Sequence, residues 1–142
     1  MSGGGAMAEK LAFELVSPER VLASGEAEMV VVPGSEGDFG VLPLHAPTLS
    51  LLRPGVIRIY EGDRVQERIF VAGGFAEVRP EGLIVLAEEA EPVARIDREE
   101  ALARVRDLEE DLAEAKDEEE RARIERRLEV ARARAEAPDS PS

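Results

Sequence analysis

The first two thirds of the chain alternate apolar and polar residues over short stretches, the pattern of β-strands with one buried face. Turn residues such as Pro33-Gly34, Glu61-Gly62-Asp63 and Pro80-Glu81-Gly82 separate the stretches. No helix-length segment lies between them, which argues against a parallel α/β sheet and favours an antiparallel sandwich or barrel. The predicted strands cover 11–16, 28–32, 55–60, 65–72, 75–78 and 83–86.

Beyond residue 92 the apolar residues change to helical spacing, and neither Gly nor Pro occurs before Pro138. Two stripes recur every three or four residues: Ala101, Val105, Leu108, Leu112 and Ala115, then Ile124, Leu128, Ala131 and Ala135. The stripes are out of phase, so one straight helix would place them on different faces. Each begins after an aspartate with a glutamate three residues on, the pattern of a capped helix start.

These features predict two antiparallel helices, roughly 97–115 and 118–136, joined by a tight turn near Lys116-Asp117. The alternative is one continuous helix, because no Gly or Pro interrupts residues 113–120. Few large apolar residues line either stripe. A free hairpin should therefore be only marginally stable, and we expect it to need a docking surface.

Composition narrows the classes of function. The 142 residues include no cysteine, so there are no disulfides and no thiolate chemistry. The 18 basic and 31 acidic residues give a net charge of −13, which argues against nucleic-acid binding. No apolar run is long enough to span a bilayer. Residues 1–8 lack a signal-peptide pattern and are predicted to be a flexible lead of an intracellular protein. Aromatic residues are scarce, so the core should be mostly aliphatic.

Several residues suggest chemistry, but each has a simpler interpretation. His45, the one histidine, could act as a general base or as a loop residue that contacts a partner. The glycine-rich stretch 34–40 lacks the Lys-Ser/Thr ending of a phosphate loop and carries two acids, so a turn is preferred. Gly73-Gly74 is interpreted as a tight bend. The acids Glu88, Glu89 and Glu91 could bind a divalent cation or form a charged linker.

A cluster of arginines stands out in the acidic second half. Two interpretations are open: a solvated helix surface with intrahelical ion pairs, or a docking face for an acidic partner segment. The cluster consists of Arg121, Arg123, Arg126, Arg127, Arg132 and Arg134.

Four motifs, taken in order, resemble the epsilon subunit of bacterial F-type ATP synthases, a family that includes the mitochondrial delta subunit. They cover Gly37-Asp-Phe-Gly-Val-Leu-Pro-Leu-His-Ala-Pro47, Leu52-Arg-Pro-Gly-Val-Ile-Arg-Ile59, Val71-Ala-Gly-Gly-Phe-Ala-Glu-Val78 and Val85-Leu-Ala-Glu-Glu-Ala-Glu91. The resemblance extends over residues 9–136. It implies a ten-stranded β-sandwich at 9–92, a helical hairpin at 93–136 and a disordered tail at 137–142.

The resemblance also implies a function. The protein would be a non-catalytic subunit of the central stalk, at the cytoplasmic face of the bacterial inner membrane. Its sandwich would bind the gamma subunit and the c-ring, with Glu36, Asp38, Gly40 and His45 as c-ring contacts. An extended hairpin would reach the alpha and beta subunits, dock its arginines on beta and oppose ATP hydrolysis. The competing hypothesis is a small-ligand-binding sandwich or minor enzyme with His45 in its site.

Two departures from the family pattern matter. Some members bind ATP through Ile/Leu-Asp-x-x-Arg-Ala at the start of the first helix. Here Glu100 replaces that arginine and would repel phosphates, so no cofactor is predicted and Asp97 is interpreted as a helix cap. Leu44 stands where the family often has glycine or another small or polar residue.

Overall fold

Ten β-strands are followed by two α-helices in the computed structural model, which describes residues 10–140. The strands are β1 Leu11–Val16, β2 Val21–Ala27, β3 Met29–Gly34, β4 Gly37–Val41, β5 Thr48–Leu52, β6 Gly55–Glu61, β7 Arg64–Val71, β8 Gly74–Arg79, β9 Gly82–Ala87 and β10 Ala90–Pro92. The helices are α1 Arg98–Glu114 and α2 Glu118–Glu136, with 3-10 helices at Val93–Arg95 and Ala137–Asp139. The predicted lead, residues 1–8, lies outside the described residues.

The strands form a folded-over sheet of two parts. One part runs β10-β7-β6-β3, with β4 also on β3, and the other runs β5-β8-β9-β1-β2. They are joined between β3 and β5 through the pairing of Gly34 with Leu52. Neighbouring strands are antiparallel except β1 and β9, which pair in parallel within the described residues. The predicted β-sandwich is confirmed.

The core between the two parts is aliphatic, as the composition predicts. Sixteen Leu, Ile, Val and Ala side chains form it, with Phe13 and Phe39 packed at its edge. Burial alternates along β8 and β9, where Ala76, Val78, Leu83 and Val85 point inward. Alternation with a period of two is what places every second side chain of a strand on one face.

The helical hairpin also matches the prediction, and the continuous helix is excluded. Residues 115–117 separate α1 from α2. Asp97 and Asp117 are the N-caps, each accepting a hydrogen bond from the backbone N–H three residues on, at 3.1 and 2.8 Å. The two stripes meet in a cluster built on Leu108, Ile124 and Leu128. The side-chain caps define where each helix begins, and the seam packs the two helices together.

A small apolar cluster at the base of the hairpin joins it to the sandwich. Phe70 of β7, Val93 and Ala137 are buried there. Residues 137–140 were expected to begin a disordered tail. Instead, Ala137–Asp139 form a 3-10 helix capped by Ser140, because Ala137 packs into this cluster and Arg68 donates to the carbonyl and hydroxyl oxygens of Ser140 at 2.9 and 3.0 Å. The rest of the predicted tail, 141–142, lies outside the described residues.

Candidate functional site

The four candidate c-ring residues follow one strand from end to end. Glu36 lies in the turn before β4, Asp38 and Gly40 lie on β4, and His45 lies in the loop after it. The interpretation of 34–40 as a turn was too broad, because Gly37–Val41 pairs with β3 and only Ser35 and Glu36 form the turn. The structure therefore spreads the candidates over a strand and its two flanking loops.

Asp38 is held by two arginines from outside β4. Arg53 and Arg58 each donate a hydrogen bond through Nη2 to its carboxylate, and Arg53 also donates to the Gly34 carbonyl. The contact from Arg58 measures 3.3 Å. All three side chains are partly exposed, so the network fixes geometry more than it adds stability. Asp38 is thus a pre-positioned surface carboxylate, whereas Glu36 is exposed in its turn.

The loop that carries His45 is a tight turn with an unusual residue. The His45 N–H donates to the Leu42 carbonyl at 3.2 Å, and Pro43 and Leu44 occupy the central positions. Leu44 has φ 66°, the one positive φ outside glycine among residues 10–140. Proline followed by positive φ defines a type II turn, whose second central position normally holds Gly or Asn. Leu44 is also 84% exposed, so nothing within the described residues accounts for a leucine there.

Replacing Leu44 by asparagine is expected to raise the free energy of unfolding by about 1 kcal/mol, because asparagine tolerates the left-handed region better than leucine. Little burial is lost with so exposed a side chain. Urea unfolding midpoints test this. Leu42→Asn in the same turn is the control and should bring no gain, because Leu42 does not have a positive φ. A lower urea midpoint for the Leu44 variant than for the unsubstituted protein would contradict backbone strain at Leu44.

Within residues 10–140, no acidic or hydroxyl side chain is hydrogen-bonded to the His45 ring. Its Nδ1 contacts the Ala46 carbonyl oxygen at 2.8 Å, a local contact within the loop. Two open grooves, of about 820 and 520 Å³, lie between hairpin and sandwich, and His45 lines neither. Within the described residues no three His or acidic side chains are grouped to hold a metal ion, Glu88, Glu89 and Glu91 included.

The arginine cluster divides into two groups. Arg123, Arg126 and Arg127 are exposed and form no salt bridge within residues 10–140. Their spacings of three and four place them on one face of α2. The others are engaged: Arg121 donates to the Leu112 carbonyl, Arg132 pairs with Glu109, and Arg134 binds Glu91 and Glu100. Only half of the cluster is therefore available as a docking face in this conformation.

Glu100 has a defined partner at the position where the family's ATP motif has arginine. Its carboxylate accepts hydrogen bonds from Arg134 at 2.7 and 3.1 Å, and this contact lowers the pKa of Glu100. A lowered carboxyl pKa stabilises the fold at neutral pH, and that contribution is lost as the pH falls through the lowered value. The hydrogen bonds of Arg134 to Glu91, and then those to Glu100, raise the pKa of Arg134.

An exposed apolar face on the sandwich was not predicted from the sequence. Leu51, Phe75 and Leu86 are paired in register across β5, β8 and β9, and Leu49 lies two residues from Leu51. All four side chains are exposed. A row of large apolar residues on a sheet surface marks an interaction site. The alternation Leu49-Ser50-Leu51 carries the signal, but it becomes interpretable only once β5 is known to be a strand.

Neither α-helix in the described part of the protein is long and apolar enough to cross a membrane.

Family models match both halves of the sequence. The model for the β-sandwich domain of the ATP synthase delta/epsilon chain covers residues 10–93, and the model for the C-terminal domain of the ATP synthase epsilon chain covers residues 97–140. These two matches define the class of the protein: it is a two-domain ATP synthase subunit of the delta/epsilon type.

Relatives narrow this class further. The ATP synthase epsilon chain of Paramagnetospirillum magneticum is 53% identical over 92% of this chain and 98% of its own length. That of Rhodospirillum rubrum is 56% identical over 82% of this chain and 87% of its own. The chain belongs to the ATP synthase epsilon chain family. This confirms the predicted family and the prediction of an ATP synthase subunit that is not itself catalytic.

Solved structures share the fold at low sequence identity. A chain in a Euglena gracilis mitochondrial ATP synthase structure of OSCP, F1 and the c-ring aligns with TM-score 0.76 and 23% identity, over 87% of this chain and 78% of that one. A chain of the central stalk and c-ring of the Tetrahymena thermophila mitochondrial ATP synthase aligns with TM-score 0.61 and 17% identity, over 92% and 97%. These likenesses concern the fold.

Proposed function

We propose that this protein links the gamma subunit to the c-ring in the central stalk of a proton-translocating F-type ATP synthase. The observation that carries the proposal is the match of both domains to the epsilon family. The related folds in assemblies that contain the c-ring support the choice of partner. The protein would be peripheral to the membrane, at the cytoplasmic face of the bacterial inner membrane, and held there by the complex.

The surface of the sandwich offers two different faces for these two partners. The apolar row on β5, β8 and β9 suits a stable interface with gamma, because burying large apolar side chains supplies most of the free energy of association. Glu36, Asp38, Gly40 and His45 are the proposed contacts to the polar loops of the c-ring. Asp38 suits such a contact because Arg53 and Arg58 already fix its orientation.

The hairpin is proposed to inhibit ATP hydrolysis when it extends toward the alpha and beta subunits. Arg123, Arg126 and Arg127 would dock on an acidic segment of beta, because their charge is not neutralised within the described residues. Arg121, Arg132 and Arg134 would join them only after their present contacts are released. The small apolar cluster at the base of the hairpin is consistent with reversible attachment.

Co-purification tests the proposed assembly. An affinity-tagged copy of the protein, isolated from gently solubilised membranes, is expected to bring down the alpha, beta, gamma and c subunits, identified by mass spectrometry. The matched control is a tagged variant with Leu51→Asp and Phe75→Asp, which places charges on the apolar face and should lose gamma. Isolation of the unsubstituted protein without these subunits would reject the proposal.

A further inference from the structure

Arg134 is the point at which three elements of the fold are tied together. It lies near the end of α2 and binds Glu91, which belongs to β10 of the sandwich, and Glu100, which belongs to α1. To Glu91 it donates from Nε at 2.9 Å and from Nη2 at 3.2 Å. To Glu100 it donates from Nη1 at 3.1 Å and from Nη2 at 2.7 Å. One guanidinium therefore holds two carboxylates, each through two bonds.

This arrangement is stronger than an ordinary surface ion pair. Paired N–H donors that face both oxygens of a carboxylate add geometric definition and strength to the contact. The Arg134 side chain is only 21% exposed, whereas that of Arg132, which pairs with Glu109 through one bond, is 54% exposed. Water screens the Arg134 pairs less. Without Arg134, the carboxylates of Glu91 and Glu100 would have no cation between them.

The other attachments between hairpin and sandwich are few within the described residues. They comprise the apolar cluster around Phe70, Val93 and Ala137, which also takes in Val130 and Ala133 of α2, and the bonds from Arg68 to residues 137–140. The bonds from Arg68 hold the segment that follows α2. The ion pair with Glu91 ties the last turns of α2 to β10, directly before the segment that leads into α1. Moving the hairpin away from the sandwich requires this pair to break.

We propose that the bonds of Arg134 to Glu91 and Glu100, called the Arg134 clasp below, are broken and re-formed when the hairpin moves. The balance between the folded and the extended hairpin is then set by competition for this one arginine. In the folded state Glu91 and Glu100 hold it. In the extended state an acidic segment of the partner would bind it together with Arg123, Arg126 and Arg127. This second half rests on the proposed function. The first half concerns only the isolated protein and can be tested without the complex.

Distance measurements between two spin labels on the full-length protein test the clasp. The natural sequence has no cysteine, so Asp63→Cys in the turn between β6 and β7 and Lys116→Cys in the turn between the helices give unique sites. Glu91→Gln is expected to add a longer-distance population and to raise the ratio of open to folded hairpin roughly fivefold. Arg134→Lys should give an intermediate shift, because it keeps the charge and loses the paired geometry.

The matched control is Glu109→Gln, which removes the ion pair to Arg132 between the two helices and leaves the link to β10 intact. It should keep the distances of the unsubstituted protein. Identical distance distributions for Glu91→Gln and Glu109→Gln would overturn the clasp. In membranes, Glu91→Gln should strengthen inhibition of ATP hydrolysis. Changed distances with unchanged hydrolysis would support the clasp and reject docking on beta.

Discussion

Gly74→Ala is expected to lower the free energy of unfolding by about 4 kcal/mol, because the added methyl group collides with the neighbouring strand. A Cβ at this position would lie 1.9 Å from the carbonyl oxygen of Leu86, and the φ of Gly74 is 138°. Gly74 pairs with Leu52 on one side and Ala87 on the other, so its backbone cannot shift without disturbing β5 and β9. Chemical denaturation followed by circular dichroism measures the loss.

Gly62→Ala is the control for this substitution. Gly62 also has a positive φ, 65°, but a Cβ there meets nothing within 4 Å. Gly62→Ala should lower the free energy of unfolding by about 1 kcal/mol, the conformational penalty alone. Equal losses for the two variants would show that strain in φ, rather than the close approach to Leu86, dominates at Gly74. The difference between them combines the close approach to Leu86 with the greater backbone strain of a side chain at φ 138°.

The strands that the sequence predicted correctly show either an apolar–polar alternation or a short apolar run bounded by turn residues. β1, β3, β6, β7, β8 and β9 match the predicted ranges to within a residue or two at each end. β2 was not assigned because Ser24-Gly25-Glu26 offers no apolar face, and most of this strand is exposed. β4 contains two glycines and is recognisable mainly through its pairing with β3. Whether such a segment becomes a strand depends on its pairing with a neighbouring strand, and a local sequence pattern does not show that pairing.

The helix boundaries were predictable because local chemistry specifies them. Asp97 and Asp117 cap their helices through bonds that span only three residues, and the phase change between the stripes gives the turn. The attachment of the hairpin was not predictable. Arg134 and Glu91 lie 43 residues apart, and their contact depends on how β10 and α2 pack. In the sequence Arg134 is one of six arginines with no feature that separates it from the others.

Leu108→Ala is expected to destabilise the hairpin by about 3 kcal/mol while the sandwich stays folded. Leu108 is 2% exposed and packs against Ile124 and Leu128 in the seam between the helices. Removing a buried leucine side chain costs the transfer free energy of the lost atoms and leaves a cavity. So small a cluster cannot compensate for that loss. Amide hydrogen exchange should then show lost protection over α1 and α2, with the amides of β8 and β9 still protected.

Leu102→Ala makes the same change in the same helix at a site that is 44% exposed. It should leave exchange in both helices close to that of the unsubstituted protein, because little buried area is removed. If both variants lost helix protection equally, burial of Leu108 in the seam would not be what stabilises the hairpin, because alanine is itself a better helix former than leucine. If Leu108→Ala unfolded the sandwich as well, hairpin and sandwich would form one cooperative unit. A hairpin that melts alone is what reversible extension toward a partner requires, since its two helices must separate from the sandwich without loss of the β-core.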